Sequence, residues 1–143
     1  MICLDVNVLV NAHRLDVADH DSYAGLLVGL ATGSEPLGLP DVVLSGFLRV
    51  VSNRRVFRVP TPSATALEFV DQLISSRAGI LLRASERHWS TFVELTQDLG
   101  AMGNDIPDAY IAAYAVDNGA TLLSADRGFA RFDRLRWRHP LDG

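Results

Sequence analysis

Apolar residues in this chain occur in two patterns. Short, nearly continuous runs occupy residues 1–6, 37–39, 80–82, 121–124 and 135–138. They are too short for helices and apolar enough for buried parallel strands, the last reading as an edge strand. Between them the apolar positions recur every three or four residues, as on one face of a helix. Residues 23–31 place Tyr23, Leu26, Leu27 and Leu30 on one side; 42–53 place Val43, Phe47, Val50 and Val51; 64–76 place Leu67, Val70, Leu73 and Ile74. Residues 86–99 place Trp89, Phe92, Val93 and Thr96 inward, with Trp89 expected in the core. Residues 7–13 begin a further helix, with Asn7 a candidate cap. An Ala-rich helix follows residue 104, with Pro107 in its first turn and Gly119 as its left-handed stop. Strands alternating with helices predict an α/β fold, a three-layer αβα sandwich around a central, mainly parallel sheet. The 143 residues are read as one domain, 1–143.

Composition narrows the class without naming a function. Charged residues make up 21% of the chain and the net charge is −4, so bulk charge does not point to nucleic acid. All thirteen basic residues are arginine. The lone Cys3 excludes an internal disulfide. Asp5 interrupts the first apolar run before a signal-peptide core forms, and no stretch is long and apolar enough to span a bilayer. A cytoplasmic protein with no membrane association is expected.

The chemistry lies in three aspartates. Asp5 ends the first run, Asp126 lies just past the 121–124 run, and Asp108 opens the Ala-rich helix. If the first and fourth strands are parallel neighbours, all three converge on the carboxyl edge of the sheet, where open α/β folds bind ligands. Carboxylates held close together repel one another and raise each other's pKa unless a cation neutralises them. A hard divalent ion with oxygen ligands meets that need and can activate water toward a phosphodiester. No dinucleotide fingerprint, phosphate-binding loop, zinc spacing or serine elbow competes with this set.

The stretches LDVNVLV, NDIPDAYIAAYAV and ATLLSADRGFARF, in this order and at these intervals, resemble the motifs of PIN-domain ribonucleases, and most closely the VapC-type toxins of toxin–antitoxin pairs. The resemblance covers nearly the whole chain. It implies a PIN-like sandwich, an acidic site for Mg²⁺ or Mn²⁺, endonucleolytic cleavage of RNA, a VapB-like antitoxin partner and a homodimer. By motif, Asp5, Asp108 and Asp126 match the metal-binding, catalytic acids. Asn7 falls where the family has a residue that hydrogen-bonds the site.

One position departs from the family. Its glutamate in the helix after the second strand is absent, and Gly46 or Ser45 stands there. Asp105, three residues before Asp108, is a candidate replacement ligand; a plain cap is the other reading. The missing acid supports an alternative function, a catalytically weak or inactive PIN-like domain that binds RNA or protein. Arg49, Arg54, Arg55 and Arg58, interleaved with Phe57, read either as a solvated helix end or as a phosphate-contacting patch. Arg127 either contacts the phosphate or pairs with the acids. His13 is expected as a partly exposed helix residue and not a ligand.

Overall fold

A computed structural model describes residues 1–142. Five strands, β1 (Ile2–Leu4), β2 (Leu37–Pro40), β3 (Gly79–Leu82), β4 (Thr121–Leu123) and β5 (Arg136–Arg138), form one sheet in the order β3-β2-β1-β4-β5. Every pairing is parallel, so the expected mainly parallel sheet is wholly parallel. β1 lies at the centre, with Ile2 opposite both Leu37 and Thr121. The 135–138 run becomes a parallel edge strand.

Alternation along the central strand assigns the two faces. Ile2 and Leu4 join the core beneath α1 (Val6–His13), α2 (His20–Thr32), α3 (Asp41–Val51) and α4 (Ser63–Ile74). Cys3 points the other way, into the core beneath α5 (His88–Leu99) and α6 (Asp105–Asp117). The result is the αβα sandwich. No helix among the described residues is long and apolar enough to cross a membrane.

α6 ends as its sequence dictates. Gly119 takes φ +60°, which only glycine adopts without strain, and the chain turns into β4. Ala109, Ala112, Ala113 and Ala115 are fully buried, so this helix can approach the sheet on one side and α5 on the other. Its start differs slightly from expectation: Asn104 precedes the helix and Pro107 is its third residue.

Several inward faces need correction. Trp89 is 67% exposed; α5 turns His88, Thr91 and Leu95 inward instead. His88 is accommodated because its ring packs against Tyr110 and Tyr114 and its Nε2 lies 3.0 Å from the Tyr110 carbonyl. Leu67 is exposed and Ala66 is buried in its place, because α4 presents a narrow face beside Phe69. α3 ends at Val51, two residues before the expected 53, and Gly79 begins β3. Asn7 is not the cap of α1. Asp5 is, its Oδ1 accepting the Val6 N–H at 2.7 Å.

Phe47 is fully buried, stacked 5.2 Å from Phe69 and 5.5 Å from the His13 ring. Phe47→Ala is expected to cost about 3–5 kcal/mol, because the surrounding helices cannot close over the lost ring. Denaturant unfolding checks this; a loss below about 1 kcal/mol would mean that the helical layer on this face repacks freely.

Candidate active site at the carboxyl edge of the sheet

An all-parallel sheet delivers every strand's carboxyl end to one edge. Asp5 leaves β1 there and is 6% exposed. Its Oδ1 accepts from the backbone of Val6, and its Oδ2 accepts from the Asn7 amide at 3.1 Å and the Ser124 hydroxyl at 2.6 Å. Asn7, the second residue of α1, also donates to Ser124 Oγ, and its Oδ1 accepts the Ala125 N–H at 2.9 Å. The Asp126 N–H closes the network on Ser124 Oγ at 3.0 Å. Asp126 itself is exposed and caps the 3₁₀ turn Arg127–Arg131, its Oδ1 accepting the Gly128 N–H at 2.8 Å.

Asp105 and Asp108 occupy the first turn of α6. Arg131 Nη2 donates to Asp105 Oδ1 at 2.8 Å and to Asp108 Oδ2 at 3.0 Å. Asp105 Oδ2 also accepts the Met102 N–H at 3.2 Å, so Asp105 does act as a loop-closing residue.

The carboxylates share one electrostatic field. Burial pushes the Asp5 pKa up; hydrogen bonds from Ser124 and Val6 oppose this, and the charges of Asp108 and Asp126 push it further up. Burial also raises the Asp108 pKa, against the Arg131 bridge and with the repulsion of Asp126 and Asp105. The ion pair alone would depress Asp108, so its net rise means that desolvation and like charge outweigh one guanidinium. The charges of Asp108 and Asp126 thus reach Asp5, and those of Asp105 and Asp126 reach Asp108.

The donor set suits a hard divalent cation. All candidate ligands are carboxylate oxygens. Asp126 Oδ2 and Asp108 Oδ1 accept no protein hydrogen bond among the described residues. Among those residues no three acidic, His or Cys side chains close on one point, and Arg131 bridges two of the acids, Asp105 and Asp108. Gly46 has no side chain to contribute. A Cβ built there would come within 2.9 Å of Val6 Cγ2, so Val6 fills the space through which a residue-46 side chain would extend.

The other candidates are dispersed. Arg49, Arg54, Arg55 and Arg58 are exposed and form no ion pair among the described residues. Their loop lies at the C-terminal end of α1, where Arg14 stacks 4.0 Å over Phe57 and donates to the Val59 carbonyl. Asp5 caps the other end of that eight-residue helix, roughly 12 Å away. His13 shares the arginine end, partly buried against Phe47 and Phe69, with its Nε2 3.1 Å from Thr61 Oγ1. Arg127 does not pair with the acids of the site; it bridges to Asp142 at 3.2 Å. Asp41 accepts from the Tyr114 hydroxyl at 2.7 Å and from the Val42 N–H, tying α6 to α3.

Two functional residues escaped the sequence reading. Ser124 is the fully buried hub of the network, yet in the sequence it is only the polar end of an apolar run. Arg131 is the actual partner of the acids, five positions after Asp126. Its one sequence signal is a basic residue at the end of the short segment that follows a strand-end aspartate.

A wholly parallel αβα sandwich with aspartates gathered in this way defines the class, and the PIN domain family matches residues 2–135. The chain belongs to that family. Within it, the chain is 62% identical over 143 residues to the VapC ribonuclease Mb2897 of Mycobacterium bovis, covering 100% of this chain and 97% of the relative. It is 36% identical over 140 residues to ribonuclease VapC31 of Mycobacterium tuberculosis, covering 98% and 99%. Its fold is similar to a chain of the VapBC2 crystal structure from Rickettsia felis bound to a promoter DNA fragment (TM-score 0.73, 24% identity, 97% and 98% covered). It is also similar to Mycobacterium tuberculosis VapC20, described as a sarcin-ricin loop cleaving toxin (TM-score 0.66, 14% identity, 95% and 99% covered).

The raised Asp108 pKa fixes the sign of a pH effect. The folded state holds its proton more tightly than the unfolded chain does. Without metal, the stability Asp108 contributes is therefore fullest below the ordinary carboxylate pKa and falls as pH rises through the raised value. Asp108→Asn keeps an acceptor for Arg131 and removes the charge. In EDTA at neutral pH its melting temperature is expected within about 2 °C of the parent or above it, with the difference growing in its favour as pH rises from about 4. Thermal melts across pH check this; a large loss in EDTA would make Asp108 a structural residue.

Proposed function

We propose that this chain is a divalent-metal-dependent endoribonuclease that acts as the toxin of a VapBC-type pair. The observation that carries the reading is the shared field of Asp5, Asp108 and Asp126 at the carboxyl edge of the sheet, with Asp5 oriented by Ser124 and Asn7. Relatives at 62% identity are named ribonucleases, which disfavours the inactive binding domain despite Gly46.

Asp5, Asp108 and Asp126 would hold Mg²⁺ or Mn²⁺, with Asp105 as a fourth ligand. Such an ion, when bound, lowers the pKa of water and offsets charge on a phosphodiester in displacement. The protein's own part is orientation. Ser124 and Asn7 fix the Asp5 carboxylate through Oδ2, and Val6 takes one site on Oδ1, which leaves one Oδ1 lone pair for an ion. Asp108 is carried by a helix whose alanines seat it close to β1. Exposed Arg49, Arg54, Arg55 and Arg58 would hold the RNA backbone, with Arg127 at the edge beyond Asp126. In this reading the partner is a small VapB-like antitoxin, since similar structures are of VapBC and other toxin–antitoxin complexes. The working form is a homodimer in the cytoplasm.

The test is cleavage of a structured RNA pool by protein freed of any partner, with Mg²⁺, Mn²⁺ or EDTA. Cuts should require metal and fall by on the order of 100-fold or more in Asp5→Asn and Asp108→Asn. Cuts that persist in EDTA, or unchanged in both variants, would refute the reading. Arg54→Ala combined with Arg55→Ala and Arg58→Ala should raise KM and flatten its dependence on salt, with little change in kcat.

A further inference from the structure

Arg131 holds its place at the acids in an unusual way. A guanidinium that pairs for stability usually offers two parallel N–H groups to one carboxylate. Here a single nitrogen, Nη2, serves both Asp105 and Asp108, at 2.8 and 3.0 Å. Nη1 is bound to the Gly128 carbonyl at 2.6 Å. Nε is buried and donates to nothing, although an unmade bond from a charged group is costly. The position is thus dictated by charge and is poorly matched in geometry. Among the described residues, no other basic side chain pairs with Asp105 or Asp108.

Two further features bear on what this side chain can do. It is 29% exposed and lines a cleft of about 270 Å³ with Leu95, Phe132 and Arg134, so there is open space on its far side. It is also tied to Asp126. The Asp126 carboxylate accepts the Gly128 N–H, and the Gly128 carbonyl accepts Arg131 Nη1. One residue, Gly128, therefore links Asp126 to the cation on Asp105 and Asp108.

We propose that Arg131 is a displaceable internal cation. It neutralises Asp105 and Asp108 while no divalent ion is bound, competes with that ion for the two carboxylates, and moves off them toward the neighbouring cleft when the ion binds. The proposal rests on the metal-dependent reading above. It also gives Gly46 a consequence: with one carboxylate fewer in the site, the balance between Arg131 and the ion decides how tightly the ion is held.

The test compares the parent with Arg131→Met, which keeps an unbranched apolar stem and removes the charge. Both are freed of partner, titrated with Mn²⁺ by calorimetry and melted in EDTA. The variant should melt lower in EDTA and bind Mn²⁺ about three- to tenfold more tightly, the range expected for removing a partly exposed competing ion pair. Equal or weaker binding overturns the proposal and makes Arg131 a residue that organises the site. Should the variant not fold, nitrogen-15 NMR of the parent's arginine side chains gives the answer. The Arg131 Nε–H signal should shift and exchange faster with water at saturating Mg²⁺; an unchanged signal alongside measured binding overturns the proposal. RNA cleavage that requires metal, together with equal Mn²⁺ affinities, would sink this inference and leave the nuclease reading standing. Absence of both ion binding and cleavage would remove both.

Discussion

Like charge gathered at the end of a parallel sheet is the constraint on which the rest of this structure depends. Asp5, Asp105, Asp108 and Asp126 repel one another, and the fold offsets that repulsion locally. Each sits at the start of a helical segment: Asp5 caps α1, Asp105 and Asp108 lie in the first turn of α6, and Asp126 caps the 3₁₀ turn. Backbone N–H groups without intrahelical partners converge at those positions and favour negative charge. Neutral donors from Asn7 and Ser124 and one cation, Arg131, offset part of the remainder. The pKa of Asp5 and Asp108 is raised first by burial and then by the neighbouring carboxylates, so these donors do not fully offset the cost of charge there. In the proposed reading a bound cation would offset the remainder.

Small residues allow this arrangement. The buried alanines of α6 bring its first turn close to β1 and β4, and so bring Asp108 within the field of Asp5. Gly38, in β2, lies where a Cβ would come within 2.7 Å of Leu82 and 2.9 Å of Cys3, so the sheet centre also depends on a missing side chain. Gly46 plays the same part between α3 and α1, where Val6 fills the gap.

The fold was readable because its rules are local or topological. Short apolar runs had to be buried strands, Gly119 had to end a helix, and alternating strands and helices had to cross over to a parallel sheet. From these the meeting of Asp5, Asp108 and Asp126 follows without any knowledge of side-chain contacts. What was not readable depends on partners distant in sequence. Trp89 and His88 are neighbours on α5, and only the Tyr110–Tyr114 surface decides which one turns inward. Leu67 and Ala66 are distinguished in the same way by the room left beside Phe69. Ser124 looks like a strand end until Asp5 and Asn7 are placed against it. Arg131 looks like one arginine among thirteen until α6 sets two carboxylates in its reach.

The distribution of charge bears on how an acidic chain could take hold of a polyanion. The carboxyl edge repels phosphate, whereas Arg54, Arg55 and Arg58 are exposed and unpaired among the described residues at the far end of α1. α1 is thus negative at the end that Asp5 caps and flanked by positive charge at the other. A dipolar surface of this kind orients an approaching polyanion before it makes contact, and salt weakens the effect. Net charge over the chain conceals this, because it sums the two ends. In the proposed reading, capture and chemistry would occupy opposite ends of one short helix, so the acids would not have to attract the backbone themselves; they would only have to be neutralised once it has arrived.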